Sequence, residues 1–134
     1  MSRNDQIIDE FRANEGKVGG FFEGRALLLL HSTGARSGIE RVNPLVYITD
    51  AGRYVVAASK GGADTHPDWY FNVRANPTVS LEVGTKTIAA RAVFPEGAER
   101  DELYAKLTAR YPFFADYERK TARTIPVVAL AAVD

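Results

Sequence analysis

Four short segments hold side chains whose types and spacing suit chemistry. The first is Thr33-Gly34-Ala35-Arg36-Ser37-Gly38, with Arg41 close behind. Glycines permit close backbone approach and positive φ, so several N–H groups can converge on one anion. Arg36 and Arg41 add forked, permanently charged donors, and Ser37 adds a hydroxyl. Such a set cradles a phosphate or carboxylate; it equally suits a polar hairpin turn with solvated arginines. It is not a P-loop, because no Gly-Lys-Ser/Thr follows at the required spacing. The second, Ala57-Ala58-Ser59-Lys60-Gly61-Gly62, leaves room for a flat ring against Ala57, Ala58 and Ser59, with Lys60 as a further positive point. A plain strand end with a Gly-Gly turn reads the same way.

The third segment, His66-Pro67-Asp68-Trp69-Tyr70-Phe71-Asn72, places a helix start where free N–H groups can hold an anion. Trp69 and Tyr70 suit core packing as well. The fourth, Tyr111-Pro112-Phe113-Phe114-Ala115-Asp116-Tyr117, is an aromatic cluster that can cover an apolar substrate, with Tyr111 or Tyr117 as proton donor. A satellite hydrophobic cluster has the same composition. Other chemistries fare worse. His31 and His66 are the only histidines and there is no cysteine, so no zinc pattern forms and no metal is expected. Gly-x-Ser-x-Gly is absent. His31, in an apolar run, reads as a satisfied interior or edge residue.

Charge sharpens the picture. Seventeen basic residues balance seventeen acidic ones, whereas a sequence-independent nucleic-acid binder normally carries a basic excess. An RNA-binding barrel would also interleave exposed aromatics with bases on strands, and here the aromatics gather on expected helices. Between Gly24 and Gly62, Arg25, Arg36, Arg41, Arg53 and Lys60 face only Glu40 and Asp50, a local +3 against −3 elsewhere. A basic site on a neutral protein suggests a small anionic ligand.

These residues need a scaffold. A chain of 134 residues, 46% apolar and 25% charged, reads as one globular domain over 1–134, with 1–20 as an N-terminal helix or arm. The lack of cysteine fits the cytoplasm. No run reaches the ~18 apolar residues of a spanning helix, and the charged start lacks the core of a signal peptide. A helix over Asp5–Ala13 gathers Ile7, Ile8 and Phe11 on one side, to pack on its own domain or make a peripheral membrane contact.

Ala26–Ser32 reads as a buried strand, and Val42–Thr49 and Arg53–Ser59 as strands joined through Asp50-Ala51-Gly52. Pro67 suits the first turn of a helix capped by Asp64 or Thr65 and stopping before Asn76-Pro77. Val79–Val83 and Lys86–Phe94 pair across Gly84-Thr85. Glu99–Arg110 and Phe113–Thr121 read as helices, and Ile125–Val133 as a last strand. The absence of strand–helix alternation removes the Rossmann fold. The class is mainly β with α+β character, a barrel of about six strands with helical covers.

In their order and spacing, LLLLHSTGARSGIERVNPL (27–45), YVVAASKGGADTHPDWYFNVRANP (54–77), RYPFFADY (110–117) and RTIPVVAL (123–130) resemble the deazaflavin (F420)-dependent nitroreductase family of actinobacteria. The resemblance implies a split β-barrel like that of FMN-binding oxidoreductases, with F420 in a groove. Carried over, Arg36, Ser37 and Arg41 would hold the phosphate and acidic tail. Val42, Asn43 and Pro44 would line the cofactor's path, Ala57, Ala58, Ser59 and Lys60 would continue it, and Trp69, Tyr70 and Asn72 match the family's helix contacts. Tyr111, Phe114 and Tyr117 would meet the acceptor, a quinone or a nitroaromatic, with Tyr117, Ser59 or Tyr111 as proton donor. The implied reaction is hydride delivery from reduced F420 followed by protonation. Ala35 stands where members often have a second basic residue, and Phe114 where some have a tyrosine. FMN is the alternative cofactor, although its single phosphate needs less basic surface. A barrel that binds F420 without turning it over is the alternative outside the enzymes.

Overall fold

A continuous apolar run is satisfied only where both faces of a strand are covered. β1 (Leu27–Thr33) meets that condition in the computed structural model, which describes residues 3–133. Leu28 and Leu30 face a core shared with Leu81, Ala90, Ala92, Val128 and Leu130, the concave side of the sheet. Leu27 and Leu29 face the opposite way, toward Phe11 of α1 (Arg3–Ala13), Leu107 of α3 (Gly97–Arg110) and Phe114 of α4 (Phe113–Lys120). The remaining strands are β2 (Glu40–Val46), β3 (Ile48–Asp50), β4 (Arg53–Ala57), β5 (Thr78–Val83), β6 (Lys86–Val93) and β7 (Val127–Ala132). α2 (Asp68–Ala75) sends Trp69 and Val73 into the concave core.

All pairings are antiparallel, in the order β2-β1-β5-β6-β7-β4-β3. β2 and β3 lie at opposite ends of that order, yet only Tyr47 separates them in sequence. A sheet whose two edges are joined by one residue must curl until the edges meet. They meet without a ladder between them among the described residues, which makes the barrel split. Pro44 sits on β2, an edge strand, where a missing N–H is tolerated.

The one strand expected over Val42–Thr49 is therefore two, and the sheet has seven strands rather than six. Alternation of side chains continues through Tyr47, so periodicity does not reveal that the chain leaves one edge and joins the other. The Ala51-Gly52 hairpin is as expected: both residues have positive φ, and Asp50 pairs with Arg53. Neither Asp64 nor Thr65 caps α2; Pro67 itself holds the cap position, without a side-chain cap bond.

α1 docks through Ile8 and Phe11, so its apolar side faces its own domain. No helix among the described residues is long and apolar enough to cross a membrane. Polar contacts latch α1 to the sheet. Arg12 donates through Nε (3.1 Å) and Nη2 (2.7 Å) to Glu82, which also accepts from His31 Nε2 at 2.5 Å. Arg12, and after it His31, hold the Glu82 carboxyl below its ordinary range against the opposing effect of burial. Its contribution is thus present above the unfolded carboxylate pKa of ~4.3 and fades as pH falls through the lower folded value. Glu82→Gln should cost about 1 kcal/mol at neutral pH, modest because Arg12 is half-exposed. The deficit should shrink in acid, as urea titrations at pH 7 and pH 3 would show.

Candidate functional site

The turn after β1 is held from inside and from α2. Gly34 N–H donates to Ile39 C=O (2.8 Å), Gly38 N–H to Gly34 C=O (3.0 Å) and Ile39 N–H to Ser37 Oγ (3.1 Å). Ala35 N–H donates to Oδ1 of Asn72 at 2.9 Å. The N–H groups of Arg36 and Ser37 are left without protein partners among the described residues. A Cβ on Gly34 would stand 2.5 Å from Ser37 Oγ, so a larger residue there would displace the Ser37 hydroxyl from the turn. Gly38 has φ +71.

This turn forms one end of a groove of about 1370 Å³ between α1, β2 and the start of α2. Arg36, Ser37, Arg41, Val42, Asn43, Trp69 and Asn72 line it, together with Asp5, Asp9 and Arg12 of α1 and Glu40, Asp68 and Phe71. The charges are not equivalent. Arg12 is committed to Glu82, and Glu40 lies 3.3 Å from His31 Nδ1. Arg36 and Arg41 are exposed and make no ion pair or side-chain hydrogen bond among the described residues. With acidic residues on the lips formed by α1 and α2, an anion is confined to the Gly34–Arg41 end. Two unpaired guanidinium forks beside two unpaired N–H groups suit a phosphodiester or a string of carboxylates.

The other expected positions lie elsewhere. Pro44, Ala57, Ala58, Ser59, Lys60 and Tyr70 do not line the groove. Ala57 and Ala58 face opposite cores and are buried. Lys60 is exposed, with Nζ 3.4 Å from Thr65 Oγ1, and begins three consecutive left-handed residues at φ +47, +64 and +87. The last of them, Gly62, admits α4 flush against the turn: a Cβ there would stand 2.9 Å from Tyr117 C=O. Trp69 is both core and groove wall, while Tyr70 packs on His66, Phe71 and Phe94.

Within the aromatic segment, Tyr111 and Phe114 are each 3% exposed. The Tyr111 hydroxyl accepts from Ala26 N–H (3.0 Å) and donates to Tyr47 C=O (3.3 Å), tying the start of β1 to the residue where the sheet changes edges. Tyr104 donates to Phe114 C=O at 2.6 Å, and burial pushes its phenol up to about 12. Tyr117 is half-buried and its hydroxyl makes no hydrogen bond among the described residues. Of the two tyrosines expected as proton donors in this segment, Tyr117 is the one whose hydroxyl is unengaged among the described residues.

Sequence reasoning missed Arg123. Its guanidinium donates to the carbonyls of Ser59 (2.8 Å), Ala63 (2.8 Å) and Ala58 (3.2 Å) and to His66 Nδ1 (2.9 Å). One side chain therefore fixes the end of β4, the left-handed turn and the lead into α2. The only signal was its place in the RTIPVVAL run.

A split barrel of one antiparallel sheet, with a groove that ends in a free anion cradle, suits a cofactor that carries an anionic tail. The chain belongs to the F420H(2)-dependent quinone reductase family, whose model it matches over residues 4–132. It is thus an oxidoreductase whose cofactor is coenzyme F420. An F420H(2)-dependent quinone reductase of Mycobacterium tuberculosis is 36% identical over 124 residues, covering 90% of this chain and 83% of the relative. A solved F420-H2 dependent reductase is 44% identical, with a TM-score of 0.72 over 79% of this chain and 94% of its own. A further structure, described as a domain-swapped dimer, is 38% identical, with a TM-score of 0.74 and 94% of both chains covered.

Proposed function

We propose that the protein reduces a quinone with reduced F420, holding the cofactor's phosphodiester and glutamyl tail at the turn over Gly34–Arg41. The observation that carries this reading is the pair Arg36 and Arg41, uncommitted among the described residues and set at one end of the groove. The free N–H groups of Arg36 and Ser37 bind the phosphate, with Asn72 fixing the turn that presents them. Val42, Asn43 and Trp69 form the wall along which the cofactor runs toward the barrel.

When bound, F420 supplies a two-electron hydride donor; orientation and electrostatics come from the protein. Arg123 holds the turn at Ser59 and Lys60, and Tyr117, backed by that turn, donates a proton to the reduced acceptor. Burial raises the Tyr117 phenol above its ordinary range, and a phenol holds its proton at neutral pH even without that shift. Nitroaromatic reduction is a secondary activity, because Phe114 offers no hydroxyl and its ring belongs to the core.

Titration with F420 and FMN tests the reading. F420 should bind far more tightly, and the F420-loaded protein should oxidise reduced F420 in the presence of a quinone. Equal or tighter FMN binding would replace the cofactor assignment. Tight F420 binding with no turnover would make the chain a carrier.

A further inference from the structure

The 3-10 turn Gly20–Phe22 leaves Phe21 45% exposed. Its ring meets Phe113 of α4 at 5.3 Å between centroids. The Arg25 guanidinium lies over both rings, its carbon 4.2 Å from the Phe21 centroid and 4.9 Å from that of Phe113, and it donates to Phe21 C=O. Phe113 packs in turn on Tyr117 at 5.3 Å. An arginine held between two phenyl rings has lost part of its hydration without gaining a carboxylate partner among the described residues. That is the condition under which a cation attracts an incoming anion most strongly. Phe22, Phe113 and Tyr117 pack against the same core cluster as Val42, a residue of the groove wall.

We propose that Arg25 is an acceptor-binding residue. A quinone lies on the shelf of Phe21, Phe113 and Tyr117, with one oxygen between the Arg25 guanidinium and the Tyr117 hydroxyl. This rests on the quinone-reductase reading above and goes beyond it by adding Arg25 and Phe21 to the acceptor's surroundings. On taking a hydride from the reduced cofactor, which is thereby oxidised, the quinone holds one oxyanion and needs one proton to become a hydroquinone. Tyr117 donates that proton and recovers one from solvent. Arg25 stabilises the charge in the interval, as donors preorganised at a developing oxyanion do. The electrostatics agree: after burial, the Arg25 charge is the strongest influence on the Tyr117 phenol and acts to lower its pKa.

The test uses protein loaded with oxidised F420, so that the Arg36 and Arg41 cradle is filled and no turnover occurs. Two probes are titrated by calorimetry: neutral 2-methyl-1,4-naphthoquinone and 2-hydroxy-1,4-naphthoquinone, which is an anion at neutral pH. The wild type should prefer the anion about tenfold, the scale of one charge-assisted hydrogen bond. Arg25→Gln retains a planar, stacking group and a donor for Phe21 C=O. It should abolish the preference while leaving the neutral quinone within about twofold, a split that loss of packing alone would not produce. Phe21→Ala should weaken both probes together. In turnover, Arg25→Gln should lower kcat for the neutral quinone with little change in KM. An anion preference that survives Arg25→Gln, or is absent from the wild type, overturns the proposal. F420-dependent quinone turnover would still stand in that case, whereas its absence would sink the function reading first.

Discussion

Arg123→Ala should lower the stability of the protein by about 3 kcal/mol, the scale expected when a charged donor is taken from several partly buried acceptors at once. For a chain of this size that is a fall in Tm of about 10 °C. The reason is what remains behind. The carbonyls of Ala58, Ser59 and Ala63 converge on one guanidinium. Three consecutive left-handed residues, Lys60 among them, cannot rearrange cheaply to find other donors. Arg123→Lys should recover little, since one ammonium cannot reproduce a planar fork reaching four acceptors. The same substitution should change the acid limb. His66 is held below its ordinary pKa first by burial and then by the Arg123 charge, and its Nδ1 accepts from Arg123. Unfolding therefore takes up a proton as the pH falls. The contribution is present above the unfolded histidine value of ~6.5 and is lost as pH drops through the folded one. Removing Arg123 should flatten this dependence without erasing it, because burial persists. Thermal melts between pH 5 and pH 8 would check both effects. A variant as stable as wild type, with the same acid limb, would mean that Arg123 does not hold the turn.

The sequence was legible where local chemistry decides structure. Four leucines in succession, in a run too short for a typical helix, read as a buried strand, and Asp50-Ala51-Gly52 reads as a hairpin-like turn, whose two central residues take positive φ. Tyr104, Leu107 and Tyr111 at helical spacing are buried together. The residue types of the Gly34–Arg41 turn suited an anion cradle and a solvated polar turn alike, and the groove opens beside it. What stayed hidden is long-range. Nothing in the residues around Tyr47 says that the chain passes from one sheet edge to the other. Arg123 meets carbonyls 60 to 65 positions away, and the backbone supplying them carries no mark in its side chains. Tyr111 was read as a proton donor because a tyrosine beside a cluster of phenylalanines looks available. That its hydroxyl is spent on Ala26 and Tyr47 depends on a contact 85 residues distant. Lys60 was grouped with Arg36 and Arg41 on charge, and the fold puts it on the turn beside Thr65, outside the groove lining.

The double variant Arg36→Ala, Arg41→Ala should leave the fold intact and weaken F420 binding by about 10²- to 10³-fold. Each guanidinium can make a hydrogen bond to an anionic oxygen worth about 1.5–3 kcal/mol. The two act on one tail, so their sum should fall short of additivity. Three contrasts separate this from a folding defect. Both side chains are exposed and uncommitted, so Tm should move by less than about 2 °C, unlike Arg123→Ala. A cofactor fragment lacking the phosphate and glutamates should bind wild type and variant alike, because the wall of Val42, Asn43 and Trp69 is untouched. Raising the salt concentration should weaken wild-type binding and barely affect the variant, since exposed charges are screened over about 10 Å at 0.1 M. Fluorescence titrations with both cofactors at two ionic strengths would decide it. A loss equally large for the trimmed fragment would place the arginines' effect in the shape of the turn, and Gly34→Ala would then be the next variant to measure. Its Cβ forces Ser37 Oγ away without removing any charge, so it separates a cradle that binds by geometry from one that binds by the two cations.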